Sequence, residues 1–227
     1  MNKFIALRGG VDLRANTFLI VLCVAASFWA WQQNPTFAQQ NLVFSYNNLL
    51  QRRLWTLVTA LFVHANLLHL IGNMLFLFIF GNTLEKNAGA RAHLATFFCG
   101  GFSSFLLSPL FMPRGAAMLG ASAAIFTVAA CVMLIQPLKF SWLFLAPQGL
   151  VALIYFIYNL VVVSRPSFVH GYDPHVAYIA HIIGFLVGIP FGVALSRHWK
   201  KNLLLTLLLL VVYLAILHAA RNLLLGR

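Results

Sequence analysis

Gly120-Ala121-Ser122-Ala123-Ala124-Ile125-Phe126 lies near the start of a proline-free apolar run, and two apolar runs later comes Ala180-His181-Ile182-Ile183-Gly184, with Gly188 following. A hydroxyl and an imidazole thus stand where lipid-compatible side chains are expected. Polar and ionisable groups at membrane depth are costly and mark working sites. Serine with histidine is also the minimal set for nucleophilic hydrolysis, so the pair points to peptide-bond cleavage inside the bilayer.

The composition sets the class. Of 227 residues, 62% are hydrophobic and 8% charged, with a mean hydropathy of +0.89, against about a quarter charged in soluble domains. Stretches of about 20 apolar residues predict spans at 16–32, 66–85, 92–112, 117–136, 141–163, 176–196 and 203–225. The expected fold class is all-α, a polytopic membrane helical bundle. Seven spans occupy almost the whole chain, which predicts one domain: an N-terminal segment 1–15, a six-helix core 16–196, and a connector with a seventh transmembrane helix, 197–227.

A net charge of +12 would suggest nucleic acid in a soluble protein, but here the basic residues sit between spans, so headgroups and topology account for them and no nucleic-acid partner is expected. With the N-terminus cytoplasmic, the inner segments hold Lys3, Arg8, Arg14, Lys86, Arg91, Lys139, Arg197, Lys200 and Lys201. The outer segments hold Arg52, Arg53, Arg114, Arg165, Arg221 and Arg227. This bias, firmest at Arg197-His198-Trp199-Lys200-Lys201, predicts a multi-pass protein of the plasma membrane with its N-terminus cytoplasmic. Trp29 and Trp31 end the first span without a small-x-small cleavage pattern, so that span reads as a retained helix with an interfacial anchor. Cys23, Cys99 and Cys131 all lie in apolar runs and suggest neither a disulfide nor a metal cluster.

The fourth and sixth spans are rich in small residues, Gly120, Ala121, Ala123, Ala124, Ala129 and Ala130 in one and Gly184, Gly188 and Gly192 in the other. Such spacing lets helix backbones approach closely, which predicts a contact between these spans with Ser122 and His181 on it. The Leu-rich last span reads as peripheral. Between spans one and two, the stretch 49–63 carries Arg52 and Arg53 beside Leu54, Trp55 and Val58 and is expected in the outer interface. The stretch 165–175, broken by Pro and Gly, lies just above His181 and is expected to cover the site.

The second span opens with His64-Ala65-Asn66-Leu67-Leu68-His69-Leu70-Ile71-Gly72-Asn73. His69 and Asn73 are four apart and share a helix face. Spans two, four and six run in the same direction, so His69, Asn73, Ser122 and His181 all fall in the outer half of their spans. Hydrolysis needs a nucleophile, a base and oxyanion donors. Ser122 fits the first, His181 the second, and the Asn73 amide with His69 and the Ser122 backbone N–H the third. Phe126, one turn below Ser122, is placed to pack on the His181 ring. The only acids are Asp12, Glu85 and Asp173, none of them near His181, so a Ser-His dyad is expected. The shortage of acids argues against a paired-aspartate protease, and the lack of His-Glu-x-x-His against a zinc one.

His64-x4-His69-x3-Asn73, Gly120-x-Ser122-x3-Phe126 and Ala180-His181-x2-Gly184-x3-Gly188 resemble, in order, the three signatures of rhomboid intramembrane serine proteases, and Gly81-x3-Glu85 fits the inner end of that family's second helix. The resemblance implies Ser122 as nucleophile, His181 as base, Asn73 and His69 in oxyanion stabilisation, and Gly120, Phe126 and His64 in support. It further implies a six-plus-one helix bundle with a re-entrant first loop, a cavity open to the outer side, and gating by the fifth helix and the loop above His181. The implied substrates are single-span membrane proteins cut near the outer end of a destabilised helix, with membrane lipids as the other partners. No cofactor or metal is implied.

Three positions depart from the family pattern. Thr56 follows Trp55 where an Arg is usual, so an Arg contact that steadies the first loop is either lost or supplied by Arg52 or Arg53; Ala123 replaces the usual Gly after the nucleophile; Phe126 stands where some members have Tyr. Singly, Ser122, His181 and Asn73 fit ordinary interhelical hydrogen bonding. Their conjunction favours an enzyme over two alternatives, an inactive rhomboid-like protein that binds membrane helices and a proton-coupled transporter using His69 and His181. His93, His170, His175, His198 and His218 read as interface or loop residues.

Overall fold

The computed structural model of the protein describes residues 14–113, 115–166 and 177–224. Helix α1 (Ala15–Ala30) is followed by a folded loop holding α2 (Pro35–Asn41), the short strand β1 (Phe44–Ser45), α3 (Tyr46–Leu50) and α4 (Thr56–Phe62). α5 (Leu67–Phe76) continues through a π-helical turn, Leu77–Gly81, into α6 (Asn82–Leu107). The strand β2 (Ala117–Met118) leads to α7 (Ser122–Ile135), and β3 (Phe140–Ser141) and β4 (Ala146–Pro147) lead to α8 (Gln148–Ser164), α9 (Tyr178–Leu195) and α10 (Trp199–Leu224). Gly89, at φ 85° and ψ 163°, breaks α6, so the part before it completes the second span begun by α5 and the part after it forms the third. The chain is an all-α polytopic bundle, with a six-helix core and one added C-terminal helix.

Two spans start later than the apolar runs suggest. The fourth, expected over 117–136, becomes helical only at Ser122, because Ala117 and Met118 pair antiparallel with Ser45 and Phe44 instead. The fifth, expected over 141–163, starts at Gln148, because Ser141 and Phe140 pair with Ala146 and Pro147 in a small hairpin. Hydropathy cannot separate a buried extended segment from a helix of the same composition. The stretch 165–175 is described only at Arg165 and Pro166, and Asp12, His170, Asp173 and His175 lie outside the described residues.

At one face of the bundle, polar side chains lock the first three spans together. Both Glu85 carboxylate oxygens accept from the first backbone N–H groups of α1, Ala15 at 2.8 Å and Asn16 at 2.9 Å, an anion at a helix N-terminus. Asn16 Nδ2 donates to the Leu77 carbonyl at 3.0 Å and to Asn82 Oδ1 at 3.1 Å. Leu77 begins the π-helical turn, and the turn is where α1 inserts this amide into the second span. His93 Nε2 lies 3.1 Å from Asn16 Oδ1. A Cβ on Gly81 would collide with the Asn16 side chain, which ties the Gly81-x3-Glu85 spacing to this contact.

α7 is the central helix, with eleven of its fourteen residues buried. It packs on α9 through the glycines singled out in the sequence. A Cβ on Gly184 would run into the Ala123 carbonyl, one on Gly188 into the Thr127 carbonyl, and one on Gly192 would come within 2.8 Å of Leu134. Thr127 Oγ1 lies 2.8 Å from the Gly184 carbonyl and 3.1 Å from that of Ala123. At Gly184 and Gly188 the backbones of α7 and α9 therefore touch directly, and at Gly192 the Leu134 side chain fills the gap. α10 lies at the periphery, its side chains mostly exposed and Thr206 alone buried among those described, and Asn202 Nδ2 ties it to the Leu134 carbonyl at the end of α7 at 2.7 Å.

Candidate active site

Fourteen residues of α-helix span about 21 Å, less than the roughly 30 Å of hydrocarbon in a bilayer. α7 is that short because residues 117–120 enter the bundle outside the helix, Ala117 and Met118 as a strand held by the Phe44–Met118 pairing and Gly120 by its N–H donating to the Ala60 carbonyl at 2.7 Å. Ser122 is consequently the first residue of a helix that begins below the bundle's surface. Its backbone N–H has no acceptor within the helix and faces away from the helix body.

His181 sits in the first turn of α9, and its Nε2 lies 2.8 Å from Ser122 Oγ. Phe126 stacks on the imidazole with ring centroids 4.6 Å apart and planes 5° from parallel. Tyr178 meets the same ring edge-on, centroids 6.2 Å apart. Ser122 and His181 are both partly exposed, so the pair is reachable from outside the bundle.

Beside this pair, α5 brings His69 and Asn73 against Gly120. Asn66 caps α5, its side chain accepting from the His69 N–H at 2.9 Å, and so sets where the His69–Asn73 face begins. Gly120 has φ +104°, which favours glycine. A Cβ there would lie 2.9 Å from His69 Nε2 and 3.4 Å from Asn73 Nδ2. Glycine thus leaves a space the size of one atom, with two nitrogen donors at hydrogen-bonding range of it. Asn73 Nδ2 is buried and has no hydrogen-bond partner. A buried donor left unsatisfied is costly and calls for a reason. The Ala65 N–H approaches His69 Nδ1 at 3.5 Å, which leaves the ring proton on Nε2, the side of Gly120.

His64 braces the approach to Ser122. It is fully buried, and its Nε2 accepts from the Ala121 N–H at 3.3 Å. Its Nδ1 therefore carries the proton and donates to Ser27 Oγ at 3.0 Å. Ser27 Oγ in turn accepts from the His64 N–H at 3.1 Å and donates to the Phe62 carbonyl at 3.2 Å, and Trp31 Nε1 donates to the His64 carbonyl at 2.8 Å. His64 thus joins α1, the first loop and the residue preceding Ser122. His64→Leu should leave the Ala121 N–H unpartnered, remove the imidazole donor to Ser27 Oγ, and lower stability by about 1–3 kcal/mol, read as a fall in the thermal midpoint in detergent.

In the first loop, Arg53 and Thr56 both bond within the loop itself. Arg53 Nη1 donates to Asn48 Oδ1 at 3.1 Å, while Asn48 Nδ2 holds the carbonyls of Gln39 and Val43, both at 2.9 Å. Thr56 Oγ1 donates to the Arg53 carbonyl at 2.7 Å. Among the described residues, no three His, Cys, Asp or Glu side chains converge as a metal site requires.

One site neighbour is absent from the sequence motifs. Asn159 of α8 is buried, and its Oδ1 lies 2.8 Å from His181 Nδ1. Its only mark in the sequence is an amide inside the fifth apolar run, which is the depth argument already applied to Asn73. Nothing in the spacing indicates that α8 turns this side chain toward α9.

Comparison with known proteins bears on the same residues. The rhomboid domain family matches residues 51–198, more than half of the chain and including His64, His69, Asn73, Gly120, Ser122 and His181. The chain is 33% identical over 148 residues to rhomboid-like protein 11, chloroplastic, of Arabidopsis thaliana, which covers 62% of this chain and 52% of that protein. It is 30% identical over 138 residues to the mitochondrial rhomboid-like protein 6 of the same plant, covering 61% and 42%. It is 40% identical over 76 residues to rhomboid-like protease 3 of Toxoplasma gondii, covering 34% and 28%. The chain thus spans about half or less of the length of these relatives. Two of them carry an organelle in their names, which lends no support to a plasma-membrane placement. With the helix order, the three motifs and the matched domain all in register, the chain belongs to the rhomboid family.

Proposed function

We propose that the chain is an intramembrane serine protease that hydrolyses peptide bonds in or near the transmembrane helices of single-span membrane proteins. The observation that carries this reading is the 2.8 Å contact between Ser122 Oγ and His181 Nε2, beside a buried donor, Asn73 Nδ2, that has no partner. Ser122 Oγ attacks the scissile carbonyl while His181 Nε2 takes its proton. The tetrahedral oxyanion is met by Asn73 Nδ2–H, His69 Nε2–H and the Ser122 backbone N–H, in the space that Gly120 leaves open. The proton held on His181 passes to the departing amine, and the acyl-enzyme is then hydrolysed by water with the same imidazole as base.

Substrate class comes from the family resemblance and from depth: a site begun below the bundle's surface suits a helix that unwinds near its membrane boundary. The charge pattern favours an orientation with Arg197, Lys200 and Lys201 on the cytoplasmic side and Ser122 toward the opposite face. Cysteine-pair labelling of the two faces in intact vesicles reads this directly.

The deciding experiment incubates the purified protein in liposomes with a tagged single-span substrate, beside Ser122→Ala. Cleavage by the parent alone supports the protease. Binding of the substrate helix by both forms without cleavage sinks it in favour of a non-proteolytic helix-binding protein. Asn73→Ala should slow cleavage about 10²-fold, as expected for one oxyanion donor among three, with substrate binding little changed.

A further inference from the structure

We propose that Asn159 is a positioning residue that holds His181 in the tautomer with its proton on Nδ1, so that the Nε2 lone pair faces Ser122. The inference rests on the proteolytic reading above for its use, but its geometry stands independently of it. The orientation of the Asn159 amide is decided locally. Nδ2 lies 2.7 Å from the Tyr155 carbonyl, one turn earlier on α8, and a carbonyl can only accept. Nδ2 therefore faces Tyr155, and Oδ1 faces His181. Reversing the amide would set two acceptor oxygens against each other at that distance.

With Oδ1 turned to the ring, His181 Nδ1 at 2.8 Å must be the donor. A neutral imidazole carries one proton, so Nε2 is an acceptor, and the 2.8 Å contact with Ser122 Oγ is donated by the serine hydroxyl. The donations run in one direction: Ser122 Oγ–H to His181 Nε2, His181 Nδ1–H to Asn159 Oδ1, Asn159 Nδ2–H to the Tyr155 carbonyl. Phe126 stacked on one face and Tyr178 at an edge keep the ring from turning. When His181 takes the serine proton, both of its nitrogens become donors, and Asn159 Oδ1 still accepts from Nδ1.

This arrangement orients His181 with no acid beside it among the described residues. An orienting group has to select the tautomer and angle of the base. A buried carboxylate would do so at a large desolvation cost at membrane depth. An amide already tied to its own helix does so without charge. It also means that three helices, α7, α9 and α8, must be seated together for the base to be correctly protonated.

The test uses the full-length protein with ¹⁵N-labelled histidine, with the His181 resonances assigned from His181→Gln. The expected parent spectrum has a protonated Nδ1 and an unprotonated Nε2. A proton found on Nε2 in the parent overturns the proposal whatever the variants do. Asn159→Leu should populate the Nε2–H tautomer and lower the maximal rate of Ser122 labelling by a fluorophosphonate about 10²-fold, with the probe's half-saturation concentration little changed. Asn159→Asp in its protonated form keeps both an acceptor for Nδ1 and a donor for the Tyr155 carbonyl, and at a pH low enough to hold it so should label within about 10-fold of the parent at the same pH. An unchanged tautomer and labelling rate in Asn159→Leu overturns the role, as does equal damage by Leu and Asp, because a purely structural residue would suffer from either change. If the parent cleaves no substrate while its tautomer still responds to Asn159→Leu, the proteolytic reading falls and the assignment of Asn159 stands.

Discussion

Ser122→Ala and His181→Ala should each reduce cleavage of a single-span substrate by about 10⁴-fold or more, with the bundle still folded. The loss is large because, among the described residues, no other hydroxyl bonds His181 Nε2 and no other base bonds Ser122 Oγ. The fold should survive because both side chains are partly exposed. The close backbone packing that joins α7 to α9 runs through Gly184, Gly188 and Gly192 and is untouched, so His181→Ala gives up its stacking on Phe126 and its bonds to Ser122 and Asn159. The two substitutions combined should cost little more than either alone, since nucleophile and base act in one step. Cleavage rates in liposomes beside thermal unfolding in detergent measure both halves of this expectation. Substantial residual cleavage by Ser122→Ala would remove the serine from the chemistry.

Gly184→Val should damage both stability and turnover, and for a different reason. Gly184 presents its backbone to the Ala123 carbonyl and accepts from Thr127 Oγ1 at 2.8 Å. A branched side chain there has to push α9 away from α7, since the obstacle is backbone and cannot swing aside. Overpacking of this kind costs about 1–3 kcal/mol, and more where a hydrogen bond is also lost. Gly184 lies three residues from His181 on the same helix, so the displacement is carried to the Ser122–His181 contact. A shift of about 1 Å in a reacting pair can cost roughly 10² in rate. The expected result is a lower thermal midpoint together with at least that loss of fluorophosphonate labelling at Ser122. Full labelling in a folded Gly184→Val protein would show that α7 and α9 can separate without moving the pair.

The two effects differ in what the sequence reveals of them. Apolar run lengths locate seven spans because any backbone in hydrocarbon must satisfy its own hydrogen bonds. The four-residue spacings then place His69 above Asn73, and Gly184 above Gly188, on single helix faces. These are local properties and can be read residue by residue. The start of α7 is not local. Residues 117–121 are apolar enough to continue the helix upward, and the distant partners Phe44, Ser45, Ala60 and His64 hold them out of it. The π-helical turn at Leu77 likewise depends on Asn16, sixty-one residues away.

Among the site residues, the gap between reading and structure is widest at Asn159 and His64. His64 appears in the sequence as part of a motif, but its bond to Ser27, thirty-seven residues away, follows from how α1 leans on the first loop. Asn159 belongs to no motif. Its place beside His181 is set by the rotation of α8 about its own axis, which packing against α7 and α9 decides.

By itself, the chain's order of residues determined a seven-span helical membrane protein, the pairing of its fourth and sixth helices, and the chemistry of a hydroxyl, an imidazole and amide donors at one depth. Tertiary structure alone decided that Ser122 opens a helix below the surface, that Gly120 leaves a cradle under His69 and Asn73, and that an amide from α8 orients the imidazole. The physical reason is range: periodicity and hydropathy record what each segment needs from its immediate surroundings. Extended pairing, helix rotation and tautomer choice are settled only by groups brought in from elsewhere in the chain.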